Sequence, residues 1–80
     1  MCRSIKTLYN IEPASTETEV REAALQFVRK ISGYRKPSKA NEAAFEAAVD
    51  EIAAISSRLL SELETSAPAR PREVVHASRR

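Results

Sequence analysis

Two segments of helical spacing, at about 17–32 and 39–64, stand six residues apart, and that short gap limits the folds open to the chain. Val20, Ala23, Ala24, Phe27, Val28 and Ile31 recur at intervals of 3, 1, 3, 1 and 3, the spacing of one helix face. Phe45, Val49, Ile52, Ser56, Leu59 and Leu63 recur at 4, 3, 4, 3 and 4, an a/d seam that Ala48 and Leu60 widen. Residues 33–38 between them hold the only glycine, Gly33, and Pro37. So short a connection makes the second helix turn back on the first. The spacing predicts an all-α fold, an antiparallel hairpin of helices at about 17–32 and 39–64. Its core is expected to hold Phe27, Val28, Ile31, Phe45, Val49 and Ile52.

Local chemistry marks the helix ends. Thr16 and Glu19 form a capping-box pattern, a hydroxyl for the exposed N–H groups and a carboxylate reaching back. Gly33 stands where a left-handed C-cap belongs. Pro37 pushes Lys36 out of helical geometry, and Ser38 is the expected N-cap of the second helix. Alanines at 43, 44, 47, 48, 53 and 54 favour helix and allow close approach. Asn41, four residues before Phe45, is read either as a register-setting polar residue or as a maker of local hydrogen bonds.

Outside the helices the signals weaken. Residues 1–15 read as an irregular lead-in, with Ile5, Leu8 and Tyr9 at the spacing of one helical turn and Pro13 marking a loop. This lead-in is expected to pack across the hairpin. From Ser66 onward Pro68, Pro71 and clustered arginines suggest a flexible basic tail, with a weak helical stretch around Glu73 to Ala77. Residues 1–65 are thus expected to form one helical domain and 66–80 the tail. At 1.5 Å per residue the second helix spans ~39 Å and the first ~24 Å. The uncovered seam at Ser56, Leu59, Leu60 and Leu63 makes those residues candidates for self-association.

Eighty residues allow a single small core. One glycine excludes Gly-rich phosphate loops and dinucleotide fingerprints. One cysteine and one histidine exclude a disulfide framework and a Cys/His zinc site. No cofactor is implied, and no small-molecule substrate is evident. No run of 18 apolar residues suggests a membrane partner, and an unpaired cysteine fits a cytoplasmic location. The net charge of +2 is small, but its distribution is uneven. Residues 1–41 carry +4, residues 42–66 carry −5 and residues 67–80 carry +3. Such blocks can neutralise one another or present a basic surface to a polyanion.

The opening Met-Cys-Arg-Ser-Ile-Lys-Thr-Leu-Tyr-Asn is followed by Pro13, Thr16 and Glu19. Gln-Phe-Val-Arg-Lys-Ile-Ser-Gly and Lys-Pro-Ser-Lys-Ala-Asn-Glu-Ala-Ala-Phe come next. Together these segments, over residues 1–68, resemble the bacterial domain-of-unknown-function family 2277. Ser4 stands where that family is expected to hold Asn. The resemblance implies a small bacterial cytosolic protein and brings no catalytic residues to carry over.

The densest charge feature is Arg29, Lys30, Arg35, Lys36 and Lys39, five cations within eleven residues and no acid among them. They flank Tyr34, an aromatic ring able to stack on a base, and N–H groups at the start of the second helix could face an anion. These six residues are candidates for nucleic-acid contact. Arg29 and Lys30 also suit a helix C-terminus on dipole grounds alone. Glu42, Glu46, Asp50 and Glu51 form an acidic face, read as a solvated surface or as a dock for the basic turn of a second copy.

Cys2 carries a third reading. Exposed by removal of Met1, its thiol and amine could trap an aldehyde, with Arg3 and Lys6 lowering the thiol pKa. The family of abasic-site-crosslinking proteins begins Met-Cys-Gly-Arg, and the glycine is missing here. His76 sits in the tail, so no general base is in view. The simpler reading tucks Cys2 under Ile5.

Three functions follow as expectations. The leading one is a small non-catalytic module that binds nucleic-acid phosphates weakly, without sequence preference, through residues 29–39. The second is a homodimer or protein-interaction module using the second-helix seam. The third is an aldehyde-trapping enzyme using Cys2. Binding is expected over catalysis.

Overall fold

The computed structural model describes residues 5–72. Cys2, the Glu73–Ala77 stretch and His76 lie outside them, as do the readings that rest on those residues. The chain runs β1 (Ile11–Glu12), α1 (Glu17–Ser32), α2 (Glu42–Glu62) and β2 (Arg70–Pro71), with a 3₁₀ turn at Lys39–Asn41 leading into α2. Two helices packed against each other make up most of the molecule, and β1 and β2 form a short parallel pair.

The ends of α1 follow the side-chain chemistry. The Glu19 N–H donates to Thr16 Oγ1 at 3.2 Å, and the Thr16 N–H donates to Glu19 Oε1 at 2.9 Å, closing the capping box. Gly33 ends the helix at φ 79°, its N–H donating to the Arg29 carbonyl at 2.9 Å. A Cβ there would meet nothing within 4 Å, so glycine is required by backbone conformation alone.

The start of α2 is less direct than expected. Ser38 precedes the 3₁₀ turn and its side chain caps no backbone N–H. Instead Asn41 Nδ2 donates to Ser38 Oγ at 2.9 Å, so Asn41 serves the local turn. The α-helix proper begins at Glu42 and stops at Glu62. The Leu63 N–H still reaches the Leu59 carbonyl, but the backbone there is extended.

The core is formed by Val20, Ala24 and Val28 of α1 with Phe45 and Val49 of α2. Leu25, Ala48, Ile52 and Ala53 pack against it. Two expected core residues are corrected: Phe27 is 44% exposed and Ile31 67%. The buried arc of α1 is rotated toward Leu25 and away from Phe27 and Ile31. Ala24 and Val28 lie beneath α2, where small side chains let the helices approach.

An exclusively helical fold is likewise corrected. The Arg70 N–H donates to the Asn10 carbonyl and the Arg72 N–H to the Glu12 carbonyl, both at 3.0 Å, registering Ile11 with Arg70 and Glu12 with Pro71. Alternate N–H groups of a strand point toward its neighbour. Pro71, which has no N–H, therefore falls at the position where none is needed. Asn10 turns into β1 at φ 56°, a left-handed conformation that Asn tolerates. Its side-chain amide donates to the Ala67 and Pro68 carbonyls at 3.3 Å. Residues 67–72, expected as part of a loose tail, thus return to the lead-in. Backbone pairing and an arginine anchor hold them, neither of which needs large apolar side chains.

Candidate functional site

The connection between the helices orders part of the basic turn. Left-handed Gly33 releases the chain from α1, and the Tyr34 N–H donates to Ser32 Oγ at 3.1 Å. The chain then bends at Arg35 and Lys36. Arg29, in the last turn of α1, donates from Nε to the Arg35 carbonyl at 3.0 Å. That bond ties the turn to the helix it leaves. Arg29, Arg35 and Lys36 line one open cleft, together with Leu25, Phe45 and Glu46.

Tyr34 lines a different cleft, with Ile31, Asn41, Ala44 and Ala48, on which Phe45 also borders. Lys30 and Lys39 are exposed and line neither cleft. The structure therefore groups three of the five cations and sets Tyr34 apart from them. Among the described residues none of the five is in an ion pair.

The acidic face has an internal partner that sequence reading missed. Arg21 Nη1 donates to Asp50 Oδ1 at 2.5 Å, and Nη2 to Glu46 Oε1 at 3.5 Å. Asp50, then Glu46, hold the guanidinium pKa above its ordinary value. All three side chains remain about half or more exposed, so the cluster is a solvated surface bridge. Local spacing carries no sign of it, because Arg21 meets these acids only where α1 crosses α2.

A second ionic junction was equally hidden. Arg72 pairs with Glu19, and its Nη2 also donates to the Pro13 and Ala14 carbonyls at 3.0 and 2.9 Å. The Arg72 hydrogen bond, then the Thr16 N–H, lower the Glu19 pKa from 4.5 to about 2. The capping carboxylate is thus shared between its own helix and the returning chain end.

The self-association candidates divide. Leu59 and Leu63 are exposed, whereas Ser56 and Leu60 are half-buried. The exposed apolar surface extends through Ile55, which the expected seam did not include. No cluster of three metal-ligating side chains occurs among the described residues. Nor is any of their helices long and apolar enough to cross a membrane.

This architecture is that of a small, mostly helical protein with three cations, Arg29, Arg35 and Lys36, grouped at the interhelix turn. The sequence profile described as an uncharacterized conserved protein family, domain-of-unknown-function 2277, matches residues 1–78, and the chain belongs to that family. No curated protein and no solved structure matches it.

Proposed function

We propose that this chain is a non-catalytic module that binds the phosphate backbone of nucleic acids through its basic turn. The carrying observation is that none of the five cations of the turn is in an ion pair among the described residues. Glu46, which borders the same cleft as Arg35 and Lys36, and Asp50 pair with Arg21, while Lys30, Arg35, Lys36 and Lys39 stay exposed and unpaired among the described residues. Arg29 braces the turn from below through the Arg35 carbonyl. Phosphate contacts position a protein without specifying sequence, so binding is weak and general.

The reading takes the helix pair as an antiparallel hairpin. Arg21, early in α1, meets Asp50, well along α2, while Ser32 and Tyr34 share a cleft with Asn41 and Ala44. In that arrangement the basic turn is the tip of the hairpin, clear of the chain ends. The lead-in and returning segment hold the opposite end of α1 through Arg72 and Glu19. The location that suits such a role is the cytoplasm.

An electrophoretic shift titration tests the proposal directly. At ~50 mM salt, single- and double-stranded DNA and RNA are all shifted by ~100 μM protein, and binding weakens steeply as salt rises. Arg35→Ala with Lys36→Ala weakens binding to all sequences about equally and leaves the fold intact. No shift with any of the four substrates would overturn the reading.

A further inference from the structure

We propose that two copies of this chain associate through an apolar flank of α2, packed antiparallel about a two-fold axis midway between Ile52 and Ile55. This inference does not rest on phosphate binding. Its starting point is a stripe along one flank of α2, beginning where Ala48 and Ile52 pack against the core and running outward to Ile55 and Leu59. Ala48 and Ile52 are half-buried at its edge, and Ile55 and Leu59 are 56% and 53% exposed. Ala48, Ile52, Ile55 and Leu59 follow 4, 3, 4 spacing, the a/d pattern of a helix-pairing seam. From Ala48 to Leu59 the seam runs ~16 Å along the axis. No charged residue falls on it.

The order of side-chain sizes selects the direction. Small Ala48 stands at one end and large Leu59 at the other. Antiparallel pairing sets Ala48 against the partner's Leu59 and Ile52 against the partner's Ile55, so volumes match in every layer. Parallel pairing sets alanine against alanine and leaves a gap. The monomer already has a recess at Ala48, the apolar cleft shared with Ile31, Tyr34 and Ala44. That cleft is lined by no charged residue, and the partner's Leu59 is the side chain placed to enter it.

Charge complementarity points the same way. Glu51 and Arg58 flank the seam on one side, both exposed and neither in an ion pair among the described residues. They are seven residues apart, two helical turns. In the antiparallel register Glu51 lies beside the partner's Arg58, and the two-fold axis repeats the contact. Opposite charges at such flanking positions set partner orientation in helix pairs. Parallel packing forms neither contact.

Sedimentation equilibrium on the full chain tests the interface. Wild type is expected to be dimeric by ~100 μM. Ile55→Glu is expected to be monomeric at that concentration with unchanged far-ultraviolet circular dichroism, because the side chain it replaces lies outside the core. Glu51→Arg and Arg58→Glu each put like charges together twice and are expected to weaken the dimer ~tenfold at low salt. Mixing these two variants in equal amounts restores both opposite-charge contacts, so a heterodimer of near wild-type affinity is expected. A monomeric wild type at ~100 μM would overturn the interface. An Ile55→Glu variant that dimerises like wild type would remove this face from it. A mixture no tighter than either variant alone would overturn the antiparallel register.

Discussion

The Arg72 guanidinium closes on the Glu19 carboxylate across 53 positions of sequence. One ion pair thereby joins the helix cap to the returning chain end. Thr16 donates its N–H to the same carboxylate, so the cap and the tether depend on one charge.

That charge predicts an acid sensitivity. The Glu19 pKa is about 2 in the folded protein against 4.5 ordinarily, with Arg72 the first cause, Thr16 the second and the Lys6 charge contributing. A carboxyl with a lowered folded pKa stabilises the fold above its unfolded pKa and loses that contribution as pH falls toward the folded one. Arg72→Gln removes the main cause. Wild type should therefore be more stable than Arg72→Gln at pH 7, with the gap closing between pH 4.5 and about 2. Urea unfolding at several pH values measures it. An equal gap at every pH would show that the pairing does not depend on Glu19 ionisation.

Gly33→Ala should cost about 1–2 kcal/mol, the penalty for a side chain in left-handed backbone. The space beside Gly33 is open, so no steric clash adds to it. Gly33→Asn should cost less, because Asn tolerates that conformation. Equal losses in thermal or urea unfolding would point to a cause other than φ.

Phe45 and Phe27 should separate clearly. Phe45 is 8% exposed and borders both clefts, whereas Phe27 is 44% exposed. Phe45→Ala should destabilise by roughly 3 kcal/mol through the cavity left behind. Phe27→Ala should cost less than ~1 kcal/mol. Comparable losses in chemical unfolding would mean that α1 is rotated differently against α2.

Tyr34 should distinguish single strands from duplex. Its ring lies apart from the cleft that Arg29, Arg35 and Lys36 share. If bases stack on it, Tyr34→Ala should lose on the order of 1–3 kcal/mol with single-stranded DNA and much less with duplex. Salt titration of wild type on duplex should give a log–log slope of about −3 to −4, the value for some of the cations engaging at once. Fluorescence anisotropy reports both.

The two helices, and both ends of α1, were legible because their causes are local; the 3₁₀ entry that delays α2 to Glu42 was not. A capping box spans three residues, a C-cap glycine needs only its own φ, and apolar spacing repeats every turn. Thr16, Glu19 and Gly33 therefore do what their positions announce. The family resemblance was equally a property of the residues in order, and the profile match over 1–78 supports it.

What the linear pattern left open is the rotation of one helix against the other. The apolar arc of α1 includes Phe27, Ile31, Val28 and Leu25, and period alone cannot say which part meets α2. Packing chose the side nearer Leu25 and left Phe27 and Ile31 outside. Arg21 with Asp50, Arg72 with Glu19, and Asn10–Glu12 with Arg70–Arg72 lie beyond any local signal as well. Each joins groups far apart in the chain, and a polar contact of that kind has no period to betray it. The sequence by itself determined that two helices form and where α1 begins and ends. Only the tertiary structure decided which carboxylates are spoken for, because charge pairing depends on distance in space.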